Sequence, residues 1–259
     1  DGKVCIYTNT EAHVVADVSG AFGPSSGFLP LAPARAIDTR STGMLAANTP
    51  TTVHLDEVAG VPDGPFVAIV NLTVLGNTSN ADVTLYTCGT TPPTVPSRSV
   101  RAGFVQSLLM VVDTDATGDI CVVVTKSAHV LVDVFGAFPA DADIHPFTSR
   151  RVRDTRSEAM PGAGALLDLQ VSGSPDVPTD PLPTAANVTL TLTSPQNIGY
   201  ATAFPCVSGL PNTSMVNVVP NQQQTNAGLV PIDAAGRLCV YLSTASHVLV
   251  DLNGWTGTA

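Results

Sequence analysis

Gly118-Asp-Ile-Cys121-Val-Val-Val124, continued by Ala128-His129-Val-Leu-Val-Asp133-Val-Phe-Gly136-Ala-Phe138, decides how this chain is read. The stretch occurs three times. An earlier copy runs Asp1-Gly-Lys-Val-Cys5-Ile-Tyr7 and Ala12-His13-Val-Val-Ala-Asp17-Val-Ser-Gly20-Ala-Phe22. A later one runs Gly236-Arg-Leu-Cys239-Val-Tyr-Leu242 and Ser246-His247-Val-Leu-Val-Asp251-Leu-Asn-Gly254-Trp255. The copies stand 116 and 118 residues apart, and a fixed period is the signature of a tandem-repeat architecture.

The local pattern is that of a strand. Val130, Val132 and Val134 alternate with His129, Leu131 and Asp133, so one set points to a core and the other away from it. His129 and Asp133 are four residues apart, about 13 Å along a strand. They can neither bond each other nor share one metal, so each needs a partner on a neighbouring strand. The same holds for His13 with Asp17 and for His247 with Asp251. This excludes a catalytic dyad and favours buried polar anchors bonded to backbone or to an arginine.

Working outward, Arg35-Ala-Ile-Asp38-Thr39-Arg40 matches Arg151-Val-Arg-Asp154-Thr155-Arg156 at an offset of 116. Asn71-Leu-Thr-Val matches Asn187-Val-Thr-Leu at 116, and Thr84-Leu-Tyr86-Thr-Cys88 matches Thr202-Ala-Phe204-Pro-Cys206 at 118. These offsets place a two-residue insertion between Asn187 and Thr202. The expected layout is two complete repeats, 28–138 and 147–259, behind residues 1–22, the C-terminal strand pair of a preceding incomplete repeat. Two strands make no core alone. That end is read either as part of a longer repeat protein or as an end that docks elsewhere.

Helix signals are nearly absent, and Thr, Val and Pro are poor helix formers. Short β-branched runs recur instead: Phe66–Leu75, Val83–Cys88, Leu108–Val112, Ile120–Val124 and His129–Val134. The expected fold is all-β, a tandem of jelly-roll-like β-sandwiches of about 116 residues each.

Cys88 and Cys121 are 33 residues apart, as are Cys206 and Cys239, which predicts one disulfide per repeat and an oxidising compartment. The rival pairing, Cys5 with Cys88 and Cys121 with Cys206, would cut each repeat at the Thr117-Gly118 turn. That turn looks less like a linker than 139–146 does. On the first pairing Cys5 is unpaired within the chain, or bonded to another one.

The chain carries 11 basic and 21 acidic side chains in 259 residues, a net charge of −10. No basic face for nucleic acid follows from so few scattered cations. No apolar run approaches the ~18 residues needed to span a bilayer as a helix. Charged residues are only 12% of the chain, so the recurring Arg35, Asp38, Arg40, Arg151, Asp154 and Arg156 stand out. They are expected to form internal ion pairs that lock the start of each repeat; an arginine-lined carbohydrate or carboxylate site is the alternative.

Asp113-Thr-Asp115-Ala-Thr117-Gly118-Asp119 has the oxygen spacing of a Ca²⁺ loop, but Asp233-Ala-Ala-Gly236 in the second repeat has too few oxygens. A turn is the expectation, with no metal and no cofactor. Asn71, Asn77, Asn187 and Asn212 fit the glycosylation tripeptide, a weak signal in a Thr-rich chain. No nucleophile elbow, HExxH, P-loop or GxGxxG occurs, and no enzyme is expected.

Together, Arg-x-x-Asp-Thr-Arg, Asn-x-Thr-x, the paired cysteines and His-Val-x-x-Asp-x-x-Gly resemble the RLLDTR-type tandem repeats of secreted and cell-surface actinobacterial proteins. Those repeats often lie beside hydrolase or peptidoglycan-active domains. The resemblance implies an exported module and no defined activity of the repeat itself.

The functional expectation is an extracellular structural or adhesive repeat: a stalk, surface-layer or filament component. Its expected partners are further repeats of the same polypeptide or end-to-end copies of itself. A module binding cell-wall polysaccharide for an attached hydrolase is the alternative. Aromatic residues are only 5% of the chain, few for sugar-stacking platforms.

Overall fold

The computed structural model describes residues 3–11 and 13–257; Asp1, Gly2 and Ala12 of the first copy, and residues 258–259, lie outside them. Among these described residues sixteen strands form, in two sets of eight. The first set is β1 (Leu29–Asp38), β2 (Thr51–His54), β3 (Phe66–Leu75), β4 (Ala81–Thr87), β5 (Arg98–Val100), β6 (Gln106–Asp113), β7 (Asp119–Val124) and β8 (His129–Pro139). The second is β9 (Ile144–Asp154), β10 (Leu166–Gln170), β11 (Ala185–Thr193), β12 (Gly199–Pro205), β13 (Val216–Val218), β14 (Gln224–Pro231), β15 (Arg237–Leu242) and β16 (His247–Thr256).

The first set builds two four-stranded sheets in the order β1-β8-β3-β6 and β2-β7-β4-β5. The second repeats them as β9-β16-β11-β14 and β10-β15-β12-β13. Every pairing is antiparallel. The first strand pairs the last, the second the seventh, the third the sixth and the fourth the fifth. That nested order is a jelly roll, and the chain holds two.

Alternation along each strand fills the two cores. Val70, Leu72, Val122, Val130, Val132 and Val134 are buried in the first. Leu190, Leu192, Leu238, Val240, Val250 and Leu252 are buried in the second. Each such side chain contributes about 1.5–3 kcal/mol when fully removed from water. Disulfides join Cys88 to Cys121 and Cys206 to Cys239, the pairing the spacing predicts. Each bond ties the end of one strand (β4, β12) to its sheet neighbour (β7, β15).

The glycine that closes each repeat motif has a steric reason. The opening strand crosses so near that a Cβ on Gly136 would sit 2.8 Å from the Leu29 carbonyl oxygen, and one on Gly254 would sit 2.7 Å from that of His145.

One expectation needs correcting. The sheet register places the two-residue insertion before Asn187, not after it. Asn71 pairs with Asp133 and Leu109, while the residue pairing with Asp251 and Ala227 is Thr189. Asn187 is therefore the counterpart of Ile69, and the extra residues lie in the β10–β11 connection. A slip of two keeps every side chain on its face, so alternation alone cannot detect it.

Residues 3–22 match the closing strand pair of each jelly roll in sequence, but no strands that such a pair would close stand before them. Among the described residues they form no strand, and most are exposed. In the two jelly rolls, the matching stretches are β7 with β8 and β15 with β16, which are interior strands of their sheets. Without strands on both sides, the backbone of 3–22 has nothing to pair with. Only its end is anchored, where the Phe22 ring lies 5.0 Å from Phe28 and 4.9 Å from Phe138.

Candidate functional site

The recurring charges come together in one ladder on each jelly roll. Arg35 on β1 faces Asp133 on β8, donating from Nε at 2.7 Å and from a terminal nitrogen at 3.2 Å. Its other terminal nitrogen reaches Asp38 at 3.0 Å, and Asp38 in turn accepts from Arg40 at 2.6 Å. The second ladder repeats this: Arg151 to Asp251 at 2.8 and 3.0 Å, Arg151 to Asp154 at 3.4 Å, and Arg156 to Asp154 at 2.6 Å. Paired guanidiniums hold both middle carboxyls low. Arg40 keeps Asp38 far below the usual carboxylate range, and Arg156 lowers Asp154 to about 2.

The histidines find separate partners just past the end of the opening strand. His129 Nδ1 lies 3.0 Å from the Thr39 carbonyl oxygen, and His247 Nδ1 lies 3.3 Å from Thr155 Oγ1. Asp17 and His13 contact no such partner among the described residues.

The threonines of the Asp-Thr-Arg motif escaped the sequence reading. Thr39 and Thr155 are fully buried, and each hydroxyl accepts from a backbone N–H of the closing strand, Val130 on β8 or Val248 on β16. Their recurrence beside the charged pair was the available signal.

The ladders differ in one respect that the sequence does not show. The expected internal pairs form in both jelly rolls, but at different depths: Arg35 and Asp133 are 43% and 19% exposed, Arg151 and Asp251 27% and 5%. The cause is a neighbour. The outer face of the β9-β16-β11-β14 sheet is covered by the β4–β5 end of the first jelly roll. Asp82, Ser97, Arg98 and Ser99 line one small cavity together with Arg151, Thr189, Thr191 and Asp251. Burial accordingly pushes the Asp251 carboxyl up despite Arg151, while hydrogen bonding to Asp251 pushes Arg151 up. The pair satisfies two groups that the junction has desolvated.

Arg98 holds that junction. It is 5% exposed and donates from one nitrogen to the Ser107 carbonyl oxygen of its own jelly roll and to that of Thr225 in the other, both at 2.8 Å. Ser107 and Thr225 occupy equivalent positions on β6 and β14. Burial pulls the arginine down to about 10, and no carboxylate pairs with it among the described residues. Arg98→Ala should cost about 1.5–3 kcal/mol of coupling between the jelly rolls. One cooperative thermal transition should then split into two by calorimetry; a single unshifted transition would remove Arg98 from this role.

Asp113 is half-buried near β9. Burial raises its carboxyl to about 6, with His145 opposing. Its folded-state value thus lies above the unfolded one, near 3.9. Stability from this group is present below pH 4 and is lost as pH rises through 6. Asp113→Asn should stabilise the protein at pH 7 by roughly 1–2 kcal/mol after allowance for solvent screening. Thermal melts from pH 4 to 7 would show the gain appearing only at the upper end.

The residues between Asp113, which ends β6, and Asp119, which begins β7, form a turn. Asp115 Oδ1 accepts from the backbone N–H groups of Thr117 and Asp119 and from the Thr117 hydroxyl, which closes the loop on itself. Among the described residues, two side-chain groups sit close enough to hold an ion. Asp168, Cys206 and Cys239 are one, but the disulfide occupies both sulfurs. His54, Asp56 and Asp119 are the other, with His54 Nδ1 already 3.0 Å from Asp119.

An apolar cleft of about 800 Å³ lies between the jelly rolls, lined by Ile69, Leu109, Phe138, Ile144, Leu229 and the 19–27 segment. Its charged lining residues are Asp141 and Asp143 of the linker. Of the glycosylation tripeptides, Asn77 and Asn187 are buried and Asn212 is exposed.

No family model and no curated protein matches the chain. Two solved structures align over most of it. One, described as the STIV MCP, has a TM-score of 0.35 and 9% identity, covering 86% of this chain and 96% of that one. The other, described as the atomic structure of Sulfolobus Turreted Icosahedral Virus, has a TM-score of 0.31 and 8% identity, covering 83% and 88%. Likeness at this level carries no functional argument, and the jelly-roll assignment rests on the strand order of the chain itself.

Proposed function

We propose that the chain is a structural or adhesive tandem-repeat segment of an exported protein, a component of a stalk, surface layer or filament, without catalytic activity of its own. One observation carries this reading: the recurring charged residues are engaged with one another across strands, and the one deeply buried arginine fastens one jelly roll to the next. Charge here serves cohesion. The disulfides suit an oxidising exterior, and the motif resemblance points to a bacterial surface. Electron microscopy of the native material tests the reading: layers or filaments are expected, and dispersed particles would overturn it.

A second reading, a module that holds cell-wall polysaccharide for an attached hydrolase, is favoured by the half-buried Tyr200 and Tyr241 rings, 6.0 Å apart. Sugars stack on such rings. If this reading holds, polysaccharide retention should fall in Tyr200→Ala and Tyr241→Ala; retention unchanged by both variants removes it.

A further inference from the structure

The segment 3–22 carries, position for position, the chemistry of the strands that close each jelly roll. Cys5 stands for Cys121 and Cys239, His13 for His129 and His247, Asp17 for Asp133 and Asp251, and Gly20 for Gly136 and Gly254. In the two jelly rolls these groups bond, respectively, a cysteine after the fourth strand, the threonine of the opener, and the opening arginine. The glycine makes room for the opening strand. The apolar positions match as well. Val4, Ile6, Val14 and Val18 are 89, 59, 51 and 89% exposed, whereas their counterparts Ile120, Val122, Val130 and Val134 are 0%. A stretch that keeps a core face, a disulfide position and an ion-pair position, and uses none of them in this chain, is built for a body outside it.

A second observation points to the same body. The outer face of the second jelly roll is covered by the first, and Thr189, Thr191, Asp251 and Asn253 are buried there. The equivalent face of the first is open: Asn71, Thr73 and Asp133 are half-buried, and Phe135 is exposed. The Phe22–Phe28 contact attaches 3–22 beside β1, and the equivalent residues, Phe138 and Ile144, pack together at the junction of the two jelly rolls.

We propose that residues 3–22 are the closing strand pair of another repeat body of the same kind, one lacking its own closing strands. That body sits on the open face of the first jelly roll as the first sits on the second. This rests on the structural-repeat reading and names the partner: six strands with an arginine and a threonine at the positions of Arg35 and Thr39, and a free cysteine at that of Cys88. Strand addition supplies the main-chain bonds. Under an added thiol–disulfide couple, the Cys5 thiolate attacks a mixed disulfide on the partner cysteine. The small thiol leaves, and an intermolecular disulfide remains.

The probe is an isotope-labelled body of residues 28–116, which holds β1–β6 and lacks β7 and β8, diluted from denaturant into the native, oxidised full chain with a glutathione couple. A body of 144–234 serves as a second acceptor. One body per chain is expected by light scattering, with a labelled Cys88 peptide, or Cys206 for the second body, bonded to Cys5. Cys5→Ser should keep the complex without the covalent bond. Deletion of 1–22, which removes no strand of either jelly roll, should abolish it, and so should Asp17→Arg, which sets like charges face to face. Capture of the body by the deleted chain, or aggregation of both bodies with Cys5 left free, overturns the proposal. A completed body without layers in the native material would sink the structural reading and leave this one standing; native filaments without completion would do the reverse.

Discussion

Asp251→Ala should destabilise the second jelly roll by about 3–5 kcal/mol, while Asp133→Ala should cost the first about 1 kcal/mol or less. The two aspartates pair with equivalent arginines through the same two hydrogen bonds. What differs is water. Arg35 stays 43% exposed and can be solvated when its partner goes, whereas Arg151 is 27% exposed under the junction. Removing Asp251 strands a partly desolvated guanidinium, and that penalty exceeds anything the pair contributed as a pair. Denaturant unfolding of both variants measures it. Equal losses would mean that the junction does not shield Arg151 in solution.

Removing the Cys88–Cys121 bond by the double change to alanine should cost the first jelly roll about 3–4 kcal/mol, and removing Cys206–Cys239 should cost the second the same. Each bond closes a loop with a sequence separation of 33 residues. The estimate is the chain entropy that this loop removes from the unfolded state. A reductant, which removes both bonds, should therefore lower the thermal transition by more than either double change does. Full reduction by thiol titration with an unmoved melt would show that the sheets alone define the stability.

Much of this was legible in the residues. The run Phe66–Leu75 is β3 to the residue, because a β-branched stretch bounded by turn residues has no competing helical reading. The separate partners of His129 and Asp133 followed from strand rise alone. The register of β11 was not legible, because Asn71-Leu-Thr-Val and Asn187-Val-Thr-Leu look alike and a shift of two preserves the faces. Arg98 was hidden for another reason. Its counterpart in the second repeat is Val216, so no recurrence marked it, and its role depends on a carbonyl 127 residues away. The unequal burial of the two ladders is likewise a property of how the bodies meet, which repeated motifs cannot encode.

The nested strand order also governs when each body can fold. The pair Arg35–Asp133 spans 98 residues, and Arg151–Asp251 spans 100. The last two strands made are the ones that enter the middle of both sheets. Contacts so distant along the chain make folding slow, in milliseconds to seconds rather than microseconds. As the chain emerges from a ribosome, each jelly roll must wait as an open form with unpaired edges until its final strands arrive. That interval is when it is most prone to aggregate or to accept the wrong strands. A body whose closing strands come late is thus also a body that a neighbour's strands can close first.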